Sequence, residues 1–284
     1  MNKSNGSHSG QKNNLPWKIA GIFFFAGFLV CVALVCTGSL KKKNAEDTFE
    51  SLAEQTNNIN ATVLPDSDNT AGQATDSGEV SIPDQTGIPI PDKTISFQEL
   101  RENTNADIYA WIYIPETPMD YPVVQHATDN NYYLNHNLDG STGYPGCIYT
   151  ENYNRKDFTD PVTVLYGHNM KDGSMFAGLH RYKDTDYMKE HPYIYIYMED
   201  KLYVYEIFAA YEYTSEHLLY DHDYTSAAQF SEYIENIRNV RDMGKVIRDD
   251  LEITDDDSIL TLSTCISGKA ENRFLVQGVL RYEG

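Results

Sequence analysis

The feature that most constrains the fold is a pair of β-prone runs that follow one another near the end of the chain. Residues 258–265 are rich in Ile, Leu and Thr and end in Cys265, and a second run begins at Arg273. Such runs, separated by a polar loop that contains Gly268, favour two strands. If the strands pair in antiparallel fashion, the Arg273 guanidinium lies beside the Cys265 thiol. A nearby cation favours the thiolate, which is the nucleophilic form.

A third candidate side chain leaves a short apolar run further upstream. Residues 162–166 read Val-Thr-Val-Leu-Tyr, and Gly167 and His168 follow directly. We expect Gly167 to permit a tight turn that brings His168 to the exit of a strand. Cys, His and Arg at three strand ends would supply a nucleophile, a general acid or base, and a clamp for a developing oxyanion.

These three motifs, taken together, resemble the active-site motifs of class B sortases. They read Thr261-Leu-Ser-Thr-Cys265, the later Arg273, and Tyr166-Gly-His168-Asn-Met, and the resemblance extends from about residue 96 to the end of the chain. Sortases are membrane-anchored cysteine transpeptidases of Gram-positive bacteria. The resemblance implies that Cys265 is the nucleophile, with His168 and Arg273 as its catalytic partners. It also implies a substrate groove formed by Thr264, Ser263, Tyr166, Asn130 and Leu134.

The neighbour of the proposed nucleophile has two interpretations. Thr264 fits a strand residue, and the resemblance favours a role in which its hydroxyl or backbone holds the substrate carbonyl.

The resemblance implies a mainly β fold, an eight-stranded sortase-type β-barrel with peripheral helices. Apolar runs predict the strands at 111–114, 121–125, 146–150, 162–166, 193–198, 202–213, 258–265 and 274–282. Ser96 with Glu99 forms a capping box that predicts an N-terminal helix. A second box at Ser226 and Gln229 predicts a helix between strands six and seven, the position that is typical of class B.

The N-terminal part of the chain contains an uncharged apolar segment at residues 19–40, flanked by lysines. This length is sufficient to cross a bilayer. A cleaved signal peptide is the alternative, since small residues occur at 37–39, but the segment is longer than a typical signal core. We therefore expect a signal-anchor helix. The lysines on both sides leave the orientation open.

The resemblance and the acidic remainder of the chain decide the expected topology. We expect residues 1–18 to be a cytoplasmic tail of a single-pass protein of the cell membrane, with an extracellular catalytic domain at 95–284. Residues 41–94 are rich in Asn, Asp, Ser, Thr and Pro, with Phe49 as their one aromatic residue. Such a composition predicts a disordered extracellular linker.

The overall charge excludes one class of partner. The chain has 42 acidic against 22 basic residues and a formal net charge of −20. Nucleic-acid binding requires a basic surface, so we expect none.

The cysteines are too few for a disulfide framework. Cys31 and Cys36 fall in the apolar segment, which leaves Cys147 and Cys265. A bridge between these two is conceivable outside the cytoplasm, but it would consume the proposed nucleophile. We interpret Cys147 as a small buried strand residue.

The sequence contains no convincing metal site. No His and Cys residues have the spacing of zinc ligands, and the acidic residues at 199–200 and 255–257 lack the alternation of a calcium loop. We interpret these acidic residues as solvated turn charges. Acyl transfer on a thiol requires no metal or organic cofactor, and we expect none.

The resemblance implies a specific reaction. A class B sortase cleaves surface proteins after Thr in a C-terminal sorting signal similar to Asn-Pro-X-Thr, and passes the acyl group to an amine of a peptidoglycan precursor. Alternatives are a pilin-polymerising sortase, a hydrolytic cysteine protease of the envelope, and a non-enzymatic surface protein. A papain-like enzyme is disfavoured because His168 precedes Cys265, and an L,D-transpeptidase because no Ser-His-Gly-Cys element is present. The client protein and the accepting amine stay open.

Overall fold

A computed structural model describes residues 15–58, 82–83 and 87–284. The α-helices are α1 (Leu15–Asn58), α2 (Phe97–Asn103), α3 (Thr185–Glu190) and α4 (Ala227–Arg238), and 3-10 helices occupy Tyr132–Leu134 and Phe176–Lys183. The strands are β1 (Ile82–Pro83), β2 (Pro89–Ile90), β3 (Ile108–Tyr113), β4 (Asp120–Val124), β5 (Ile148–Tyr149), β6 (Val162–Tyr166), β7 (Tyr193–Tyr197), β8 (Leu202–Thr214), β9 (Val246–Ile247), β10 (Ile259–Ile266) and β11 (Lys269–Glu283).

Eight of these strands form a closed barrel, as the sequence predicts. Their order is β11-β10-β6-β5-β4-β3-β7-β8, and β8 pairs with β11 to close the sheet. Neighbours are antiparallel except for β4 with β5 and β6 with β10. The short strand β9 adds to β8 from outside the barrel. The mainly β, eight-stranded fold is thus confirmed.

Apolar and aromatic side chains fill the barrel because they alternate along its strands. Large fully buried residues include Trp111, Tyr195, Tyr205 and Phe274. Trp111 donates its indole hydrogen to Asp120 at 2.6 Å, so the polar end of the ring is satisfied inside the core.

Helix α4 covers a second apolar cluster on the outside of the barrel. Its residues Phe230, Tyr233, Ile234 and Ile237 recur at helical spacing and are buried. The helix lies between the sixth and seventh barrel strands, β8 and β10, as predicted. Ser226 occupies the N-cap position, but its side chain makes no capping hydrogen bond, so the apolar face stabilises α4 instead.

The N-terminal helix of the catalytic domain is α2. The Ser96 side chain accepts a hydrogen bond from the Glu99 backbone N–H, which is the predicted cap. The folded region begins before the expected boundary at residue 95, because Ile88 is buried and the Lys93 side chain pairs with Asp120 at 2.9 Å.

The structure also differs from the expected linker at residues 41–94. Helix α1 continues to Asn58, and its residues Ala45, Phe49, Leu52 and Thr56 are buried. Their spacing of four, three and four residues places them on one helix face. Because the residues around them are polar, this buried helix face was not predicted from the sequence. The expected disorder at 59–81 and 84–86 and most of the expected cytoplasmic tail, residues 1–14, lie outside the described residues.

The apolar part of α1 has the character of a membrane span. The described helix from Phe24 to Asn57 contains a window of mean hydropathy 1.9, none of it buried in the protein. Phe24, Phe25 and Phe28 are largely exposed, as expected for side chains that face lipid rather than a protein core.

Candidate active site

Strands β10 and β11 bring Cys265 and Arg273 together. The two residues are direct partners in the antiparallel pair, and the register shifts immediately after Cys265. Residues 259–264 are buried, whereas Cys265 is exposed. The ladder therefore delivers the thiol to the surface at the point where regular pairing ends, with the arginine opposite it.

His168 reaches the same edge of the barrel from β6. This strand runs parallel to β10, with Tyr166 opposite Ser263. The Gly167 N–H donates to the Ser263 carbonyl at 3.2 Å, and the Thr264 hydroxyl donates to the Gly167 carbonyl at 2.8 Å. Because the strands are parallel, His168, which follows β6, and Cys265, near the end of β10, lie at the same end of the pair.

Gly167 is required for packing rather than for a special turn conformation. A Cβ at this position would lie 2.5 Å from Ile148 Cδ1 and 2.8 Å from the Phe176 ring. Any larger residue would push the chain at His168 away from β5.

The His168 ring is fixed by two neighbours. Its Nε2 lies 2.7 Å from the Leu134 carbonyl oxygen, and the Tyr144 ring meets it edge to face with centroids 5.0 Å apart. Because a carbonyl only accepts hydrogen bonds, Nε2 carries the hydrogen in this arrangement.

The Arg273 guanidinium is held by its own hairpin. Nη1 donates to the carbonyl oxygens of Ala270 at 2.9 Å and Asn272 at 3.0 Å. Among the described residues, Nε and Nη2 have no hydrogen-bond acceptor. Part of the planar fork is therefore available to a carbonyl oxygen in the cavity.

A cavity of about 390 Å³ joins these groups. Cys265, His168 and Arg273 all line it. Four of the five predicted groove residues line it too: Leu134, Tyr166, Ser263 and Thr264. The fifth, Asn130, points elsewhere, because its side-chain oxygen accepts a hydrogen bond from the Asn152 N–H at 2.8 Å. Its neighbour Asn131 lines the cavity instead.

Residues 112–281 match the model of the Sortase domain family. The chain belongs to the sortase family. It is 36% identical over 186 residues to sortase B of Listeria monocytogenes, an alignment that covers 64% of this chain and 74% of the relative. The fold matches the structure of Clostridium perfringens sortase B with a TM-score of 0.59 and 28% identity, covering 66% of this chain and 100% of that one.

A Staphylococcus aureus sortase B-substrate complex is also similar. Its TM-score is 0.58 at 27% identity, and the match covers 65% of this chain and 84% of that one. The resemblance to class B sortases that the motifs indicated is therefore confirmed.

In this sortase the Thr264 hydroxyl is already committed. It is buried and bonded to the Gly167 carbonyl, so it joins β10 to the turn before His168. This hydroxyl has a structural role in the observed arrangement, and the expectation that the hydroxyl or backbone of Thr264 holds a substrate carbonyl stays a prediction. The Thr264 residue still contributes to the cavity wall.

The cavity wall of this sortase also contains a close contact between a buried carboxyl group and an imidazole ring, which the sequence did not predict. Glu151 is only 7% exposed, and its Oε2 lies 2.8 Å from Nε2 of His217. Burial raises the pKa of Glu151, opposed by His217 and by a hydrogen bond from Tyr166. His217 belongs to the segment after β8, so the pair joins that segment to the barrel. The two residues are distant in sequence, and no motif signals their contact.

Cys147 is a second thiol with a different environment. It is 1% exposed, lies directly before β5, and its Sγ is 3.4 Å from the His136 carbonyl. Burial raises the pKa of this thiol. All four cysteines are free, so Cys147 is a buried packing residue and forms no bridge to Cys265.

Across the described ranges, no group of three or more His, Cys, Asp and Glu side chains is arranged to hold a metal ion.

Proposed function

We propose that this sortase is a cysteine transpeptidase in which Cys265 is the nucleophile, His168 the general acid and base, and Arg273 the oxyanion donor. The observation that supports it best is the single cavity lined by all three side chains, which come from adjoining strands of the barrel. A nucleophile, a proton carrier and a cationic fork are the groups that acyl transfer requires.

In the first step the Cys265 thiolate attacks the carbonyl carbon of a Thr residue in a sorting signal similar to Asn-Pro-X-Thr. Arg273 donates from Nε and Nη2 to the oxygen as it becomes negative. The imidazolium of His168 gives its proton to the leaving amine, the C–N bond breaks, and a thioacyl enzyme forms. Four cavity residues, Leu134, Tyr166, Ser263 and Thr264, form the groove for the signal.

In the second step an amine of a peptidoglycan precursor attacks the thioester. His168 accepts a proton from that amine, and the thiolate of Cys265 leaves. The products are an amide-linked surface protein and the starting enzyme. Neither step changes an oxidation state.

We further propose that residues 19–40 anchor the enzyme in the cell membrane, with residues 1–18 in the cytoplasm and the catalytic domain, residues 95–284 with the short approach segment before them, outside. The long apolar helix supports the anchor. The outward topology is supported by the family, whose reaction joins surface proteins to the wall.

The test uses the full chain in detergent and a fluorogenic peptide that carries the sorting signal. We expect cleavage that depends on Cys265, a thioacyl adduct on Cys265 by mass spectrometry, and a new amide product when a peptidoglycan-like amine is added. Cleavage that yields only the free acid at any amine concentration would favour the hydrolytic protease. A product formed only with a pilin lysine would favour the polymerising sortase. Turnover by Cys265→Ala would overturn the mechanism.

A further inference from the structure

Helix α1 does not end where its apolar segment ends. It continues without interruption through Lys41 to Asn58, and this second part contacts the barrel. We call residues 41–58 the docking helix. Phe49 and Leu52 are 5% and 6% exposed and belong to the main hydrophobic core.

The part of the docking helix that is farther from the apolar segment packs against β4 and the segment before α2. The Phe49 ring meets Tyr121 edge to face with centroids 5.6 Å apart. Further along, Asn57 accepts a hydrogen bond from Lys93 Nζ at 2.9 Å, and Lys93 also pairs with Asp120. Apolar burial together with the Asn57–Lys93 hydrogen bond holds this helix against the domain.

The N-terminal end of the docking helix, next to the apolar segment, contacts the loop that follows His168. Lys42 forms an ion pair with Asp172, and Asp172 in turn accepts hydrogen bonds from the N–H and hydroxyl of Ser174. Met175 donates its N–H to the Tyr121 hydroxyl at 2.9 Å. Tyr121 is the residue that packs on Phe49, so the loop and the docking helix share one contact surface.

The other side of the same loop contacts the backbone of two site residues. Asn169 donates to the Cys265 carbonyl at 3.0 Å, and the Phe176 N–H donates to the His168 carbonyl at 3.0 Å. Residues 169–175 therefore lie between the docking helix and the site. We call them the His168 loop.

Helix geometry gives the height of each contact. An α-helix rises about 1.5 Å per residue, so Asn57 lies roughly 22 Å beyond Lys42 along the axis. Lys42 follows Leu40, the last residue of the apolar segment, after a single residue. It therefore sits at the level of the lipid headgroups if that segment spans the bilayer. The His168 loop sits at the same level, whereas the end near Lys93 lies further out.

We propose that the docking helix holds the barrel in one fixed orientation, with the His168 loop facing the lipid headgroups and the turn between β7 and β8 facing away. This inference rests on the proposed membrane anchor at residues 19–40. In this arrangement the catalytic domain does not move freely, and its site lies close to the membrane surface. The partner of this face is the lipid surface itself.

The test measures the height of two labels above a bilayer. The full chain with Cys31→Ala, Cys36→Ala and Cys265→Ala retains only the buried Cys147, and a fluorophore is attached at Lys171→Cys or Asp200→Cys. Both positions are exposed, one in the His168 loop and one in the β7–β8 turn. Tyr197, at the start of that turn, approaches Pro91 at the upper end of the domain. In vesicles with nitroxide-labelled headgroups, we expect several-fold stronger quenching at position 171 than at position 200.

Two further variants isolate the docking helix. A flexible Gly-Ser insertion between Leu40 and Lys41 should make quenching at the two positions similar, because the domain then moves freely. Phe49→Asp should have the same effect, whereas Ser51→Asp, on the exposed face, should not. If Phe49→Asp fails to fold, the insertion variant alone tests whether the docking helix sets the orientation.

Equal quenching at the two positions without the insertion, or stronger quenching at position 200, would overturn the orientation. Failure of the protein to float with vesicles would overturn the anchor as well. The labelled variants lack Cys265 and need no turnover, so neither outcome bears on the proposed chemistry.

Discussion

The side-chain amide of Asn169 donates a hydrogen bond to the main-chain oxygen of Cys265 at 3.0 Å. The residue that follows His168 is thereby tied to the peptide of the proposed nucleophile. His180 approaches the same oxygen, with Nε2 at 3.1 Å. The relative position of thiol and imidazole therefore depends on a side chain that touches neither of them.

Replacing Asn169 tests that dependence. Asn169→Leu keeps the approximate shape, adds no charge and loses the N–H donor, and we expect a loss of a few-fold to about tenfold in kcat/KM, the usual effect of one hydrogen bond. The effect should fall on kcat, since the groove is unchanged. Steady-state kinetics and thermal unfolding check this. Normal kinetics in a folded variant would show that the bond does not position the site.

The two cysteines of the globular part should differ in function and reactivity. Cys265→Ala should abolish peptide cleavage with the fold intact, whereas Cys147→Ala should keep most activity and lose some packing. A small alkylating reagent at mildly alkaline pH should label Cys265 first, because Cys147 is buried and burial raises the pKa of its thiol. Mass spectrometry identifies the labelled residue. Preferential labelling of Cys147 in the folded protein would contradict the assignment.

Arg273→Lys separates charge from hydrogen-bond geometry. Lysine retains the positive charge but lacks the planar fork. Loss of a well-placed oxyanion donor typically lowers the rate by about 10²–10³, and we expect peptide turnover to fall by that factor. Alkylation of Cys265 by a small neutral reagent should change far less. Equal losses in both assays would leave Arg273 as a simple electrostatic partner of the thiol.

The domain boundary can be tested by comparing two fragments. The fragment 87–284 keeps Lys93, whose side chain is 2% exposed and pairs with Asp120, whereas 95–284 removes it. Removing one partner of a buried ion pair typically costs about 3–5 kcal/mol in the free energy of unfolding. We expect the shorter fragment to be soluble but less stable by roughly that amount, as measured in urea. Equal stability of the two fragments would indicate that the folded domain begins at residue 95.

The stability of the fold should depend on pH through Glu151. Burial raises the pKa of this carboxyl above its ordinary value of 4.5, so the folded state binds its proton more tightly than the unfolded state. The resulting stabilisation is present below pH 4.5 and is lost as pH rises through the folded pKa. Relative to Glu151→Gln, the wild type should therefore lose free energy of unfolding as pH rises from 4.5.

Glu212→Gln is the matched control, with the opposite sign. Hydrogen bonding from Lys269 lowers the pKa of Glu212, so its contribution is present above the ordinary value and is lost as pH falls. Urea unfolding across this pH range gives both slopes. Parallel slopes for the two variants would show that Glu151 is not perturbed as described.

Local sequence signals were sufficient for the barrel strands and for proposing the three catalytic residues, whereas closure of the strands into a barrel was implied by the resemblance to class B sortases. Strand runs and their polar exits mark Cys265, His168 and Arg273, since each depends on neighbours within a few residues. The parallel pairing of β6 with β10 is a long-range property, yet the motifs sit at its ends and so meet in space.

Contacts between distant segments could not be predicted in the same way. The docking helix looked like a linker because Phe49 and Leu52 are isolated among polar residues, and their burial depends on Tyr121. Glu151 and His217 show no sign of their contact until the chain is folded. Asn130 and Asn131 are identical neighbours in the sequence, and only the folded backbone determines which of the two side chains lines the cavity.

The strand order has a consequence for how such enzymes can be varied. The proposed reacting groups lie just after β6 and on β10 and β11, three strands that are adjacent in the barrel. In the chain, β7, β8 and α4 are inserted between His168 and Cys265. That insertion contributes Tyr213, Glu216 and His217 to the cavity wall. We expect exchange of residues 215–226 between relatives to change part of the cavity wall, including Glu216 and His217, while leaving Cys265, His168 and Arg273 in place. One side of the cavity wall can therefore be varied without altering the strands that carry the proposed reacting groups.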